Sequence, residues 1–387
     1  MSDEAPFLPF AKPSISAEAI AEVSACLESG WITTGPRTKR FEEMLRDYFN
    51  APSAQCCSSA TAGLLMALLS LHMKPGDEVV TSSMTFVATL NTIVLAGGKP
   101  VLVDVDPATG NLDIEQLEER ITVKTRAIMP VHFAGLPVDL DHLYSVAERH
   151  ELRVIEDCAH AIGADYKNRR VGTFGDTQVF SFHPNKNMTT GEGGVVITRE
   201  SAMTAQIEKI RFHGIDRSAE NEFGQPGTPR YDIALAGYKF NFMDLQASLG
   251  IHQLPSLAGF NSRRRALAER YFAELSDCPA VTLPSFEAID YSHLHAWHLF
   301  APRLNLDTLG MTRDEVMAAL KAQGIGSGLH YQAPHLSSYY RDEFGYQRGD
   351  FPGAEDLSDR IISLPLFPDM TEADQDRVIA ALRSLVP

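Results

Sequence analysis

Long apolar runs are missing from this chain of 387 residues, and no stretch of 18 or more uninterrupted apolar residues offers a membrane span. The opening "MSDEAPFLPFAKPS" lacks the apolar core of an export signal, so the expected location is cytoplasmic. Cysteine is scarce. The five present, Cys26, Cys56, Cys57, Cys158 and Cys278, are odd in number and form no CxxC pair, which argues against a disulfide framework or a zinc knuckle. They are expected to be buried thiols, and no metal site is expected. Positive charge is in deficit: 34 Lys and Arg face 50 Asp and Glu, for a formal charge of −16. Nonspecific binding to nucleic acid or to an anionic membrane is therefore not expected, and any anionic ligand must be small and held in a local pocket. Neither a GxGxxG spacing nor a P-loop occurs, which sets aside a glycine-rich nucleotide-binding protein.

What is present reads as a globular chain long enough for two or three structural units, with 44% hydrophobic and 22% charged residues. In the first half, apolar runs of strand length such as "DEVVTSS", "KPVLVDVD", "RAIMPVHF", "LRVIEDC", "TQVFSFH" and "GGVVITRE" alternate with helical patterns such as "ATAGLLMALLSLH" and "LDHLYSVAERHE". Strands that are apolar on both faces predict an α/β fold with a mostly parallel central sheet flanked by helices, its ligands at the carboxyl ends of the strands. After about residue 250 the amphipathic "NSRRRALAERYFAELS" leads into shorter elements. The expected division is a large domain over 1–250 and a smaller C-terminal α/β domain over 251–387. Segment 216–230, polar and containing Gly and Pro, reads as a surface loop suited to a lid.

Chemistry gathers around "SFHPNKNMTTGEGG", residues 181–194. Lys186 follows one predicted strand and Asp157 ends another, which places both at the ligand edge of the sheet. A desolvated lysine has a lowered pKa and becomes a nucleophile toward an aldehyde. A buried carboxylate can keep a pyridine nitrogen protonated and make the ring an electron sink. The pair describes a pyridoxal phosphate site. Ser59, Ala60 and Thr61 in "SSATAGL" open a helix that suits the cofactor's phosphate, although plain N-capping fits this stretch equally well. Phe86, past another strand end, fits either a ring-stacking role or the core. Gly191, Gly193 and Gly194 allow positive φ and a close approach of backbone to a ligand.

These stretches, with "ESGWITTGP", "VIEDCAHAIGADY" and "GYKFNFMDLQASLGIHQL", give the chain a resemblance along nearly its whole length to the DegT/DnrJ/EryC1/StrS aminotransferases, which place an amino group on nucleotide-linked keto sugars. The resemblance implies a fold-type I transferase. Lys186 would carry the cofactor's imine and Asp157 would partner the pyridine nitrogen, with Phe86 on one ring face and His160 near the ring or its phenolic oxygen. Ala60, Thr61 and Ser181 would lie at the phosphate. Asn241, in a "GYKxN"-like segment, would reach the phosphate of the neighbouring subunit, so a homodimer with shared active sites is implied.

"HAWHLF", "GIGSGLHY" and "SLPLFPDM" are most similar to the branch making UDP-4-amino-4-deoxy-L-arabinose from a UDP-linked 4-keto pentose, with L-glutamate as amino donor and 2-oxoglutarate as its product. The "NMTTGEGG" loop is that of the wider family, which leaves another nucleotide-linked 4-keto-6-deoxyhexose as the alternative sugar and a non-catalytic cofactor-binding regulator as a further one. Thr33 and Gly35 in "WITTGP", and His330 in "GLHY", resemble substrate-pocket residues. Thr-Thr-Gly-Pro is equally a good turn, and His330 equally a strand cap. His183 and Asn185, flanking the lysine, fit structural roles.

Overall fold

The computed structural model describes residues 6–216 and 231–387. Apart from Asp216, the expected lid segment lies outside the described residues.

Seven five-residue strands form the central sheet: β1 (Ser53–Cys57), β2 (Glu78–Ser82), β3 (Lys99–Val103), β4 (Thr125–Met129), β5 (Arg153–Asp157), β6 (Thr177–Ser181) and β7 (Gly194–Thr198). Their order is β1-β7-β6-β5-β4-β2-β3. Pairing is parallel from β3 through β2, β4 and β5 to β6, while β7 runs antiparallel to both β6 and β1. The sheet is thus mostly parallel, as its apolar runs require. Val179 and Phe180 on β6 are both fully buried although they point to opposite faces.

Helices cover the two faces: α1 (Ala17–Glu28), α2 (Pro36–Phe49), α3 (Ala60–Leu69), α4 (Ala88–Leu95), α5 (Leu140–Arg149), α6 (Ser201–Arg211) and α7 (Asp244–Leu275). On one face α2 and the first half of α7 enclose Phe41, Phe49, Phe180, Phe182 and Phe242. On the other, α3 and α6 pack on Val79, Ile155, Val179 and Val196. Helix α3 is apolar all round, which suits its position between the sheet and its helical neighbours. All five cysteines are buried and free.

Beyond α7 come α8 (Arg313–Ala322), α9 (Pro352–Arg360) and α10 (Glu372–Ser384). The second half of α7 joins α8 and α10 around Tyr271, Phe300, Leu320, Leu364 and Leu382. Helix α7 is 32 residues long and extends far upstream of the amphipathic stretch visible in sequence, passing through Pro255 and through residue 250.

Candidate active site

The loops at the carboxyl ends of β1, β2, β4, β5 and β6 converge on a cavity of about 310 Å³. It receives Ser59, Ala60 and Thr61 from the start of α3, Thr85 and Phe86 from the β2 loop, Asp157 and His160 from β5, and Ser181 and Lys186 from β6. His330 and Tyr331 reach it from the C-terminal part of the chain.

Among the described residues the Lys186 amine has one hydrogen-bond partner, the His298 Nε2 at 3.3 Å. Burial brings its pKa down to about 8 from the usual lysine value, with the Asp157 charge opposing. Asp157 ends β5 with its side chain buried in the cavity wall. Its Oδ2 accepts from Thr89 Oγ1 at 2.8 Å and its Oδ1 from the Ala159 N–H at 3.1 Å. Because the Thr89 proton goes to Asp157, Thr85 must donate to Thr89 across 2.7 Å, which makes a short relay from the cavity wall to the carboxylate. Burial pushes the Asp157 carboxyl up, against these donors and Lys186. A pyridinium N–H facing this carboxylate would offset that cost.

His160 is held at both nitrogens. Its Nδ1 accepts the Ala134 N–H at 3.2 Å, so the neutral ring donates from Nε2 to the Tyr331 hydroxyl at 2.8 Å. Burial, with Lys186 and His330 adding to it, presses the His160 pKa well below the ordinary histidine value. Burial likewise brings His330 to about 4, and His330 Nδ1 lies 2.8 Å from Ser363 Oγ. Phe86 is not core: it is 54% exposed, lines the cavity and stands 5.6 Å from the Tyr331 ring.

Ser59, also lining the cavity, caps α3, its Oγ accepting the Ala62 N–H at 3.1 Å. The capping reading of this stretch therefore holds, and it leaves the other amides of the first turn open to an anion. The glycines divide their work. Gly191 and Gly193 take positive φ, but Gly194 does not. A Cβ on Gly194 would stand 2.6 Å from the Ala60 nitrogen, so its role is to let β7 press against the opening of α3.

Nine of the twelve residues singled out from sequence line this one cavity. Thr33, Gly35 and Asn241 do not reach it within a single chain. Thr33 and Asn241 line a second cavity of about 720 Å³ beside Lys209, Arg211 and Lys239. Gly35 is the N-cap of α2, and a Cβ there would collide with Trp31 and with Asp244. Asn241 Nδ2 donates to Thr34 Oγ1 at 2.6 Å, and its Oδ1 accepts from Lys239. His183 and Asn185, read as structural, bond to each other and also line the first cavity.

Thr85, Thr89, His298 and Tyr331 had escaped the sequence reading. Tyr331 directly follows His330 and was within reach of it. No spacing rule connects residue 298 to residue 186.

The donor set fits pyridoxal phosphate: a lysine amine of lowered pKa, a buried carboxylate on the neighbouring strand and the open first turn of α3. Comparison with known proteins agrees. The profile of the DegT/DnrJ/EryC1/StrS aminotransferase family matches residues 13–383. MJ1066, an uncharacterised protein of Methanocaldococcus jannaschii, is 43% identical over 381 residues, 98% of each chain. Spr1654 of Streptococcus pneumoniae, described as a sugar aminotransferase and solved in its PMP form, superposes with a TM-score of 0.91 at 32% identity, covering 98% of both chains. PseC of Helicobacter pylori, an aminotransferase involved in pseudoaminic acid biosynthesis, gives 0.90 at 26% identity over 98% of this chain and 99% of that one. The chain belongs to the DegT/DnrJ/EryC1/StrS family, as a pyridoxal-phosphate-dependent sugar aminotransferase of fold type I.

Proposed function

We propose that the protein transfers an amino group from L-glutamate to the C4 ketone of a UDP-linked 4-keto pentose, giving UDP-4-amino-4-deoxy-L-arabinose and 2-oxoglutarate. One observation carries the catalytic part of this reading: the Lys186 amine, the Asp157 carboxyl and the opening turn of α3 meet in a single cavity. When bound, pyridoxal phosphate supplies the electron sink for breaking a C–H bond beside nitrogen. Lys186 would supply the amine that holds the cofactor and, when free, the base that takes and returns the substrate proton. Asp157 would keep the pyridine nitrogen protonated. Ala60, Thr61 and Ser181 would hold the phosphate. Phe86 would cover the ring, and His160 and Tyr331 would bound the remaining side of the site.

Lys186 is the one lysine or arginine lining the cavity among the described residues, and it is committed to chemistry. A dianionic phosphate there lacks a permanent side-chain cation. In the homodimer with shared sites that belongs to this reading, the partner's Asn241 adds a neutral amide donor to the phosphate site, and the corner carrying Thr33 and Gly35 borders the sugar. The reading includes a cytoplasmic enzyme with a cofactor domain over 1–250 and a smaller domain over 251–387 that contributes His330.

A panel of UDP-, dTDP- and GDP-linked 4-keto sugars, with L-glutamate and mass detection of the aminated product, tests the assignment. Amination of the UDP-linked pentose above all others is expected. Preference for a 4-keto-6-deoxyhexose would replace the sugar while leaving the chemistry, and no turnover with any member would favour a non-catalytic regulator.

A further inference from the structure

His298 sits beside the catalytic lysine without a role in the reading above. It is 2% exposed, yet its Nδ1 is buried with no partner among the described residues, a costly arrangement unless the ring is wanted where it is. Among the described residues its one side-chain hydrogen bond is to Lys186 Nζ. The backbone is fixed from two sides: the His298 N–H donates to Ala134 O at 3.0 Å, and its carbonyl accepts from Arg264 Nη1 at 3.3 Å. Arg264, itself 2% exposed on α7, spends its guanidinium on three carbonyls, those of Trp297, His298 and Leu366. A buried cation without a carboxylate partner among the described residues has thus been committed to holding this turn.

The ring itself is wedged against His160, with centroids 4.4 Å apart. Lys186, His160, Arg264 and His330 all face it with positive or potentially positive charge, and burial acts in the same direction, so His298 stays neutral. An ammonium has only donors to offer, so toward a protonated Lys186 the Nε2 must accept.

Resting on the assignment of Lys186 as the cofactor lysine, we propose that His298 is a positioning residue for it. Its Nε2 docks the lysine amine whenever that amine is free, and keeps it at the cavity wall ready to rejoin the cofactor. A neutral imidazole suits this purpose, because it orients the N–H groups without taking the proton the lysine must carry back. The alternative anchor for a free ammonium is Asp157, and pairing there would draw the amine to the carboxylate meant for the pyridine nitrogen.

The test strips the full-length protein of cofactor and follows the return of the lysine-linked absorbance at saturating pyridoxal phosphate, across pH, in three variants. His298→Gln keeps an acceptor near the Nε2 position, His298→Asn keeps one only near Nδ1, and His298→Phe keeps neither. At pH above about 8, where the amine is the free base, first-order relinking is expected to slow about tenfold or more in the Phe and Asn variants, as loss of the bond that orients the nucleophile implies, and to stay within about threefold of wild type in Gln. Wild-type relinking in His298→Phe, or a Gln variant as slow as Asn, overturns the proposal. If the Phe variant does not fold, the Gln and Asn pair decides alone. Borohydride reduction and peptide mass analysis of each product separate the two levels: attachment at a lysine other than Lys186 removes the underlying assignment, whereas attachment at Lys186 with equal rates in all variants removes only the role of His298.

Discussion

The Lys186 amine and the Asp157 carboxyl are displaced in their titration by the same cause, burial; for the lysine the displacement is what its assigned task needs, whereas for the carboxyl it is a cost that a facing pyridinium would offset. The free base is the nucleophile, so the rate at which stripped protein captures pyridoxal phosphate should rise with pH and level off above about 8, where burial has put the Lys186 pKa. Stopped-flow absorbance measures this. A rise continuing toward the ordinary lysine value would show an amine that is solvated after all. Lys186→Ala should keep its circular dichroism and lose both the lysine-linked absorbance and turnover, the latter by at least about 10²-fold. Asp157→Asn should retain some cofactor but transaminate about 10²-fold or more slowly, since a neutral amide does not hold the pyridinium proton by charge. Full activity of that variant in a glutamate half-reaction would take Asp157 out of the electron-sink role.

At the level of elements, the parallel sheet was legible because its strands are apolar on both faces, and the strand-end positions of Asp157 and Lys186 followed from it. The antiparallel direction of β7 was not, since alternation and composition carry no information on strand polarity. Nor was the full extent of α7, because Pro255 and the polar residues of its middle interrupt the amphipathic pattern. Asp244 shows how far such partnerships reach. Fully buried at the start of α7, it accepts from the Arg37 and Thr38 N–H groups and the Thr38 hydroxyl at 2.8–3.1 Å, capping α2 from 206 residues away. Asp244→Ala should cost about 1–3 kcal/mol, read as a lowered denaturation midpoint, because it strands buried donors. Gly194→Ala should destabilise by about 1–3 kcal/mol and loosen cofactor retention together, since the added methyl meets backbone rather than a movable side chain. Loss of stability without loss of cofactor would detach Gly194 from the phosphate wall.

For the whole molecule, the proposal that the site is shared between two chains makes a prediction that no single chain can satisfy. Asn241→Ala should weaken cofactor retention about tenfold or more. Mixing it with Lys186→Ala should restore activity, up to about half that of wild type per heterodimer, because one of the two composite sites then carries neither defect. Confirmed heterodimers without activity, where Asn241→Ala alone is impaired, would refute sharing.

Helix α7 bears on this molecule in another way. Its residues Ala247 to Leu257 are embedded in the core beside the sheet, and Leu267 to Leu275 in the core of the C-terminal part. Between them Asn261 ties Ile162 and Asn187 to the same rod. A clamshell swing of the two parts would have to bend this helix or pull one end out of its packing, so substrate access should depend on loop movement while the body stays rigid. In native-state hydrogen exchange, amides 258–266 should then be protected as well as those at either end, with no early-opening joint in the middle.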